Sequence, residues 1–488
     1  MPIVSIPAEA RQIAVPTGTR LLEALTQADL HPDTPCAGRG TCGKCKVLVG
    51  GTEVLACQTI VEQDMTVALP QKGALRILQA GTCDAVTMNP LREGPLLAFD
   101  IGTTTVVCFL LDGTTGNPLA VSSMPNPQAA FGADVISRIQ AALGDALPQL
   151  TGMIRDAMAT LIRTVCEDAN IPPHQIGVVS VVGNPAMQQF LLGLSPTNLA
   201  NIPFSPVLTE AKAIPCQDIL PICPQAQMLI VPDIAGFVGA DTMGCLLATK
   251  LYEQDALTLL VDIGTNGEMV LGNKNRMIAC ATAAGPALEG ANIHFGMGAA
   301  DGAIDHVWLE KGKIQCSVIG GGNATGICGS GLIDAIAVGL ELGLLNARGR
   351  IQNTDHIFQL TEDIYLTQDD IRQVQLAKGA ICAGITLMAK QLGLQIQDIQ
   401  KVQLAGAFGS YMNPKNACRI GLLPEELMGR IEALGNAAGC GAKMLACDQA
   451  FLPLTQTLTG KIEFLELATV PGFPKVFAKA MLFREEIV

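Results

Sequence analysis

The sequence predicts a multidomain chain of mixed α/β and α+β class, and three observations predict it. Apolar, strand-like runs alternate with helical patterns from Leu96 onward. The tetrapeptide Asp-Ile-Gly-Thr occurs twice, at 100–103 and 262–265, each time closing an apolar run. Near the N-terminus, a Gly-rich loop carries closely spaced cysteines. The 488 residues correspond to about two to four domains. Hydrophobic residues make up 49% and charged residues 15%, enough for a large core and too apolar for a mostly disordered chain.

Residues 1–70 read as a small unit of short strands and one helix. Segments 3–6 and 11–15 suit a hairpin, and 17–29 suits a helix. Strands are expected at 46–49 and 53–56 around a Gly50-Gly51 turn, and 65–69 closes the sheet. Residues 71–95 hold Gly73, Gly81, Pro90, Gly94 and Pro95 without a clear period, and read as a linker. Residues 96–488 form the large α/β unit. The repeated tetrapeptide lies one domain length apart, so halves near 96–255 and 256–488 are expected, with a ligand between them.

Lys plus Arg number 31 against 44 Asp plus Glu, a net charge of −13. No long basic run offsets this, so a nucleic-acid partner is not expected. Mean hydropathy is +0.37. Yet no apolar run of membrane-spanning length is free of charge, Gly or Pro, and the nearest, 96–111, contains Asp100. The N-terminus lacks a basic stretch followed by an apolar one. A cytoplasmic protein with no membrane partner is the expectation.

There are 17 Cys but only 5 His. A disulfide scaffold is not expected in a large chain without an export signal. Cys36, Cys42, Cys45 and Cys57 follow the spacing C-x5-C-x2-C-x11-C. Four thiolates can hold one [2Fe–2S] cluster, two on each iron. Gly38, Gly40 and Gly43 let the backbone wrap tightly and aim N–H groups at sulfur. Structural zinc is the rival, but it favours two short C-x2-C knuckles, and only Cys42/Cys45 form one. Four plain core thiols are the other rival, and the interleaved glycines argue against it. The remaining cysteines are dispersed and read as small core hydrophobes.

A strand ending in Asp, then Ile-Gly-Thr, makes a tight turn whose amides and hydroxyls can wrap phosphate oxygens. Its Asp, at the strand end, can hold Mg2+ through water. Two such loops facing each other can clamp a polyphosphate. No P-loop pattern is present. A third segment, 402–411, reads as a strand running into a small-residue turn, where Gly406 and Ala407 let a base and ribose approach the backbone.

On these residues, 100–105, 262–267 and 404–409 resemble the phosphate-1, phosphate-2 and adenosine motifs of the acetate kinase/sugar kinase/Hsp70/actin (ASKHA) superfamily. The cysteine loop resembles the [2Fe–2S] ferredoxin loop at the end of a β-grasp helix. Nearly the whole chain is similar to the reductive activators of corrinoid proteins, with further likeness at 126–139, 182–192, 233–241, 284–296 and 328–334. The resemblance implies a small β-grasp ferredoxin domain followed by a duplicated RNase H-like (actin/Hsp70/sugar kinase) ATPase domain. Long members carry an extra middle domain, and the short interval between Cys57 and Asp100 leads us to expect its absence here.

The resemblance also implies a function: ATP-dependent reduction of corrinoid Co(II) to Co(I), one electron at a time, in a methyltransferase system. An electron at very low potential is required, and about 59 mV is a tenfold change in equilibrium constant. ATP would bridge the gap through conformation or complex stability. The implied partners are a corrinoid protein and an upstream low-potential electron donor, in an anaerobic cytoplasm, with a homodimer left open. The implied cofactors are the [2Fe–2S] cluster, ATP and Mg2+.

Cys36, Cys42, Cys45 and Cys57 are the implied cluster ligands. Thr103, Thr104, Gly264, Thr265 and Asn266 would contact phosphates. Asp100 and Asp262 would position Mg2+ and the attacking water, which Asn184 would help orient. Alternatively, Asn184 is only a turn starter before Pro185. Asp241 would join the Mg2+ shell, or else cap a helix. Glu289 would meet the nucleotide, or else sit exposed on a helix. Gly329 and Gly331 would lie near the ribose, or else serve helix packing. A small-molecule kinase, an ATP-binding redox sensor and an activator of radical dehydratases are the rival functions. The first has no use for a ferredoxin domain, and the last uses a [4Fe–4S] cluster that this cysteine pattern does not fit.

Overall fold

The computed structural model describes residues 1–28, 30, 32, 34, 38–40, 43–69 and 86–483. In the N-terminal unit, β1 (Ile3–Ile6) and β2 (Arg11–Ala14) form the expected hairpin. Strands β3 (Lys46–Val49) and β4 (Thr52–Leu55) pair across Gly50 and Gly51, both at positive φ. Only glycine takes that conformation without a Cβ penalty. Strand β5 (Met65–Ala68) runs between β1 and β3, giving the order β2-β1-β5-β3-β4. Helix α1 (Leu21–Gln27) buries Leu21, Ala24 and Leu25 against Val4, Ile6, Val47 and Val67.

The expected helix at 17–29 is therefore too long at its start. Thr19–Arg20 is extended and pairs with Ile60–Val61, and Leu21 N–H donates to Thr59 O at 2.8 Å. Pro16 and Gly18, the latter at φ 93°, hold the preceding chain out of the helix. The expected linker is described only from Val86. There the Asn89 N–H donates to Cys447 O, and Val86 and Met88 pack on the core of the large unit.

The large unit holds two six-stranded sheets. The first comprises β6 (Leu96–Ile101), β7 (Thr105–Leu111), β8 (Pro118–Pro125), β9 (Val178–Gly183), β10 (Lys212–Pro215) and β11 (Gln227–Ile230), in the order β8-β7-β6-β9-β11-β10. The second comprises β12 (Thr258–Ile263), β13 (Gly267–Asn273), β14 (Arg276–Thr282), β15 (Lys401–Ala405), β16 (Ile431–Gly435) and β17 (Ile462–Phe464), in the order β16-β15-β12-β13-β14-β17. In each sheet the founding strand pairs antiparallel with the next strand and parallel with one returning after a helical crossover. The repeated tetrapeptide is thus the visible trace of a repeated sheet. Leu96 to Phe99 are fully buried, which explains an unbroken apolar run in place of alternation. The crossover helix α2 (Leu147–Asp168) buries Leu150, Ile154, Met158, Leu161 and Val165 at helical spacing.

Five further helices matter for the site: α3 (Pro185–Leu192), α4 (Ala240–Thr249), α5 (Gly329–Glu341), α6 (Gln368–Gln391) and α8 (Ala437–Cys447), with the short α7 (Gly406–Tyr411) before α8. The two halves meet where α4 crosses α8. A Cβ on Gly441 would lie 2.1 Å from the Gly244 carbonyl oxygen, so the backbones touch there. One buried cluster joins Val107 and Met243 of the first half to Leu260 and Leu445 of the second. Gly441→Ala is expected to destabilise the protein by about 1–3 kcal/mol, because backbone cannot yield as a side-chain tip does; a lowered Tm in calorimetry checks it. Among the described residues, no helix is long and apolar enough to cross a membrane.

Candidate functional site: a thiol loop and a carboxylate-lined cavity

Cys45 ends the N-terminal loop just before β3, and Cys57 follows β4. The β3–β4 hairpin register brings them together: Ala56 N–H donates to Cys45 O, and the two sulfurs stand 3.2 Å apart. Both thiols are buried. Two sulfurs bonded to one metal at about 2.3 Å each must lie within about 4.6 Å, so this pair fits a shared iron. Gly38, Gly40 and Gly43 all have positive φ, the tight wrapping expected of them. At Gly40 a Cβ would lie 2.3 Å from Gln58 Nε2, so the tip of that side chain would have to swing away. Cys36 and Cys42 lie outside the described residues. The donor set and glycine loop suit a [2Fe–2S] cluster.

The second feature is a cavity of about 340 Å³ between the two sheets. Both Asp-Ile-Gly-Thr loops enter it. Each is a tight turn: Gly102 N–H donates to Thr105 O at 2.8 Å, and Gly264 N–H to Asn266 O at 2.9 Å. Asp100, Thr103, Thr104, Asn184, Asp241, Asp262, Gly264, Thr265, Asn266, Glu289, Gly329 and Gly406 all line this space.

Glu289 ties the two loops together. Thr104 Oγ1 donates to its Oε1 at 3.1 Å, and Thr265 Oγ1 to its Oε2 at 2.6 Å. It sits on a one-turn helix, Pro286–Glu289, not on an exposed helix face. Asn184 both caps and positions. Its Oδ1 accepts the Met187 N–H at 3.1 Å to start α3, with Pro185 preset at the first helical position. Its Nδ2 donates to Thr103 Oγ1 at 3.1 Å. Asp241 is not a cap, because Gly239 holds that position, and its carboxylate faces the cavity from the first turn of α4.

Two expectations need correction. Gly331 does not line the cavity; a Cβ there would lie 2.3 Å from the Ile304 carbonyl oxygen, so it lets α5 pack on a neighbouring strand. Segment 402–411 is β15 running into helix α7, not into a turn. Gly406 has φ 82°, and a Cβ would lie 2.7 Å from Asp262 Oδ1, so glycine there makes room for that carboxylate. Ala407 lies in α7, and its side chain is outside the described ones.

Sequence reasoning missed four residues. Glu268 lines the cavity because the β12–β13 register sets it directly opposite Asp262. The matching position of the first sheet is Val107, opposite Asp100. The signal was the second carboxylate in Asp-Ile-Gly-Thr-Asn-Gly-Glu, which hairpin pairing places on the same face. Arg138, fully buried, donates through Nη2 to Thr103 O at 2.7 Å. Asn126 Nδ2 donates to Gly102 O at 2.8 Å. Asn436 caps α8 and hydrogen-bonds Asp100.

Burial pushes Asp100 and Asp262 up to about 7 from an ordinary carboxylate value, and Asp241 to about 6. The neighbouring Asp241 charge raises Asp100 and Asp262 further, while the Asn436 hydrogen bond opposes the rise at Asp100. Burial and the same neighbours raise Glu268 well above its usual value. These groups bind protons more tightly folded than unfolded. Their contribution to stability is present below about pH 4 and is lost as pH rises through about 6 to 7. We expect the Tm of the nucleotide-free protein to fall between pH 5 and pH 8, measured by calorimetry.

Two matching sheets around a cavity closed by paired phosphate-type loops, preceded by a thiol-bearing ferredoxin-like unit, define an iron–sulfur protein with an ATPase-type domain. The comparisons carry this to a family. A 2Fe-2S iron-sulfur cluster binding domain matches residues 6–68. The RACo middle region matches 96–254, and the C-terminal domain of RACo, the ASKHA domain, matches 256–488. The corrinoid activation enzyme RamQ of Eubacterium limosum is 36% identical over 428 residues, covering 81% of this chain and 72% of RamQ. The [Co(II) methylated amine-specific corrinoid protein] reductase of Methanosarcina barkeri is 27% identical over 416 residues, covering 77% and 75%. A solved reductive activator for corrinoid, iron-sulfur protein has a TM-score of 0.72 at 28% identity, covering 99% of this chain and 98% of that one. The chain belongs to this family of corrinoid activation enzymes. The RACo middle region falls on 96–254, the stretch that carries the first Asp-Ile-Gly-Thr loop and its sheet.

Proposed function

We propose that the chain reactivates a corrinoid protein of a methyltransferase system by ATP-dependent, one-electron reduction of its Co(II) to Co(I). One observation carries the reading. A buried thiol pair that joins a Gly-rich loop to the end of the adjoining hairpin, and a cavity entered by both Asp-Ile-Gly-Thr loops, occur in one chain. The corrinoid activation enzyme and the corrinoid protein reductase among its relatives point the same way.

In this reading, residues 1–70 are the ferredoxin unit, 71–95 the linker, and 96–488 the ATPase with its two halves. Cys36, Cys42, Cys45 and Cys57 hold the [2Fe–2S] cluster, which when bound supplies a one-electron carrier. Thr103, Thr104, Gly264, Thr265 and Asn266 receive the phosphates, and Gly329 and Gly406 lie on the nucleotide wall. Asn184 keeps Thr103 oriented and holds the attacking water near it. Asp100, Asp241, Asp262 and Glu268 line the cavity as half-buried, mutually repelling carboxylates that would hold a hard divalent cation such as Mg2+ through water. Phe408 and Tyr411, at the adenosine-type segment, offer aromatic faces to the base.

The two halves pack on each other through α4 and α8, so closure on nucleotide shifts α4 against α8 at the Gly244–Gly441 contact. An upstream low-potential donor supplies the electron, and the reaction runs in the cytoplasm. The test is a cobalt spectrum. Full-length protein, reductant, MgATP and the cognate corrinoid protein should convert the Co(II) absorption to that of Co(I). No conversion with the cognate partner present would sink the reading.

A further inference from the structure

We propose that Lys44 is a positioning residue that fastens the cysteine loop to the rim of the nucleotide cavity and releases it when phosphate enters. The inference rests on the reading above, in which the cavity takes ATP and the cysteine loop carries the electron. Lys44 stands between Gly43 and Cys45. Its Nζ donates to three carbonyls of the large unit: Ile293 O at 2.9 Å, His294 O at 3.3 Å and Gly296 O at 2.8 Å. A lysine has three donors, and a ring of backbone oxygens is a good seat for its ammonium.

The position of that seat gives the contact its meaning. The segment carrying these carbonyls is bracketed by cavity wall on both sides, Glu289 before it and Met297–Ala299 after it. Its neck is tight. A Cβ on Gly296 would lie 2.1 Å from Gly290 O, and one on Gly290 would lie 2.4 Å from Met297 O. Its tip is braced, because His294 N–H donates to Asp370 Oδ1 at 2.7 Å and the His294 ring stacks on Tyr365. Such a loop moves as a piece and not by local bending.

Glu289 is the sensor in this arrangement. Its carboxylate occupies the hydroxyls of Thr104 and Thr265, which phosphate oxygens would also take. An incoming polyphosphate competes for those hydroxyls and repels the carboxylate. The Pro286–Glu289 turn is then displaced, the carbonyls of residues 293–296 shift with it, and the ammonium loses its seat. The cysteine loop is freed to approach a partner. The electron path itself is unchanged, because one electron still leaves the chain and one is accepted by Co(II).

The test is hydrogen exchange by mass spectrometry on the full-length, cluster-loaded protein, with and without a saturating non-hydrolysable ATP analogue and Mg2+. Binding of the analogue is measured separately by calorimetry. In the unmodified protein, the analogue should raise exchange in segments 38–46 and 290–298 at least threefold. Lys44→Met should show the raised exchange without nucleotide and no further response, and Lys44→Arg should restore the response. The visible cluster absorption confirms that each variant is folded at the loop. If the analogue binds yet exchange stays the same in the unmodified protein, the Lys44 proposal is overturned while the function reading stands. The same holds if Lys44→Met still responds. If no analogue binds, both are overturned.

Discussion

Asp100→Asn is expected to lower ATP-dependent corrinoid reduction by about 10²–10³-fold, the scale for losing one group that orders charge at a reacting centre. The visible absorption of the cluster should not change, because the cysteine loop belongs to a separate core. The same substitution should raise the Tm of the nucleotide-free protein at pH 8. Asp100 is half-buried in the cavity wall, desolvation pushes its carboxyl up to about 7, and Asp241 pushes against its charge. Asparagine keeps the shape and an acceptor for Asn436 while removing the repelled charge. Gained stability with lost activity is the signature of a functional group held at a structural cost. Activity within twofold of the unmodified protein would remove Asp100 from the mechanism, and an unchanged Tm at pH 8 would remove the electrostatic account of the cavity.

Cys57→Ala is expected to abolish the cluster absorption and take corrinoid reduction below detection. A three-cysteine set leaves one iron short of a thiolate. Cys57 is buried beside Cys45, and the neighbouring Gln58 amide is a far weaker iron ligand than a thiolate. Nucleotide affinity should stay within about twofold, since among the described residues the cavity wall contains none of the N-terminal unit. An intact spectrum in this variant would mean that the cluster is held elsewhere or that the loop binds something else.

Much of the site was legible from local motifs. A loop that wraps a phosphate or a cluster does so with consecutive residues, so its chemistry survives in a short string. Both Asp-Ile-Gly-Thr loops reach the cavity, as does Asn184 at the end of β9. The positive-φ glycines around Cys45 follow the same logic. The fold was legible because duplication left the same tetrapeptide at the same point of two matching sheets. The helix at 17–29 was overdrawn because amphipathic spacing does not show that Thr19 and Arg20 have a strand partner some forty positions away.

The sequence by itself determined the cysteine spacing, the paired loops and the order of the units, because each is a property of neighbours along the chain. Only the tertiary structure decided which carboxylates share the cavity. Glu268 joins through hairpin register, Asp241 through the first turn of a helix in the other half, and Glu289 through a turn that bridges both loops. Only the tertiary structure, likewise, seated Lys44 on carbonyls about 250 positions downstream. A backbone carbonyl carries no side-chain identity, so no pattern of residue types could have announced that contact.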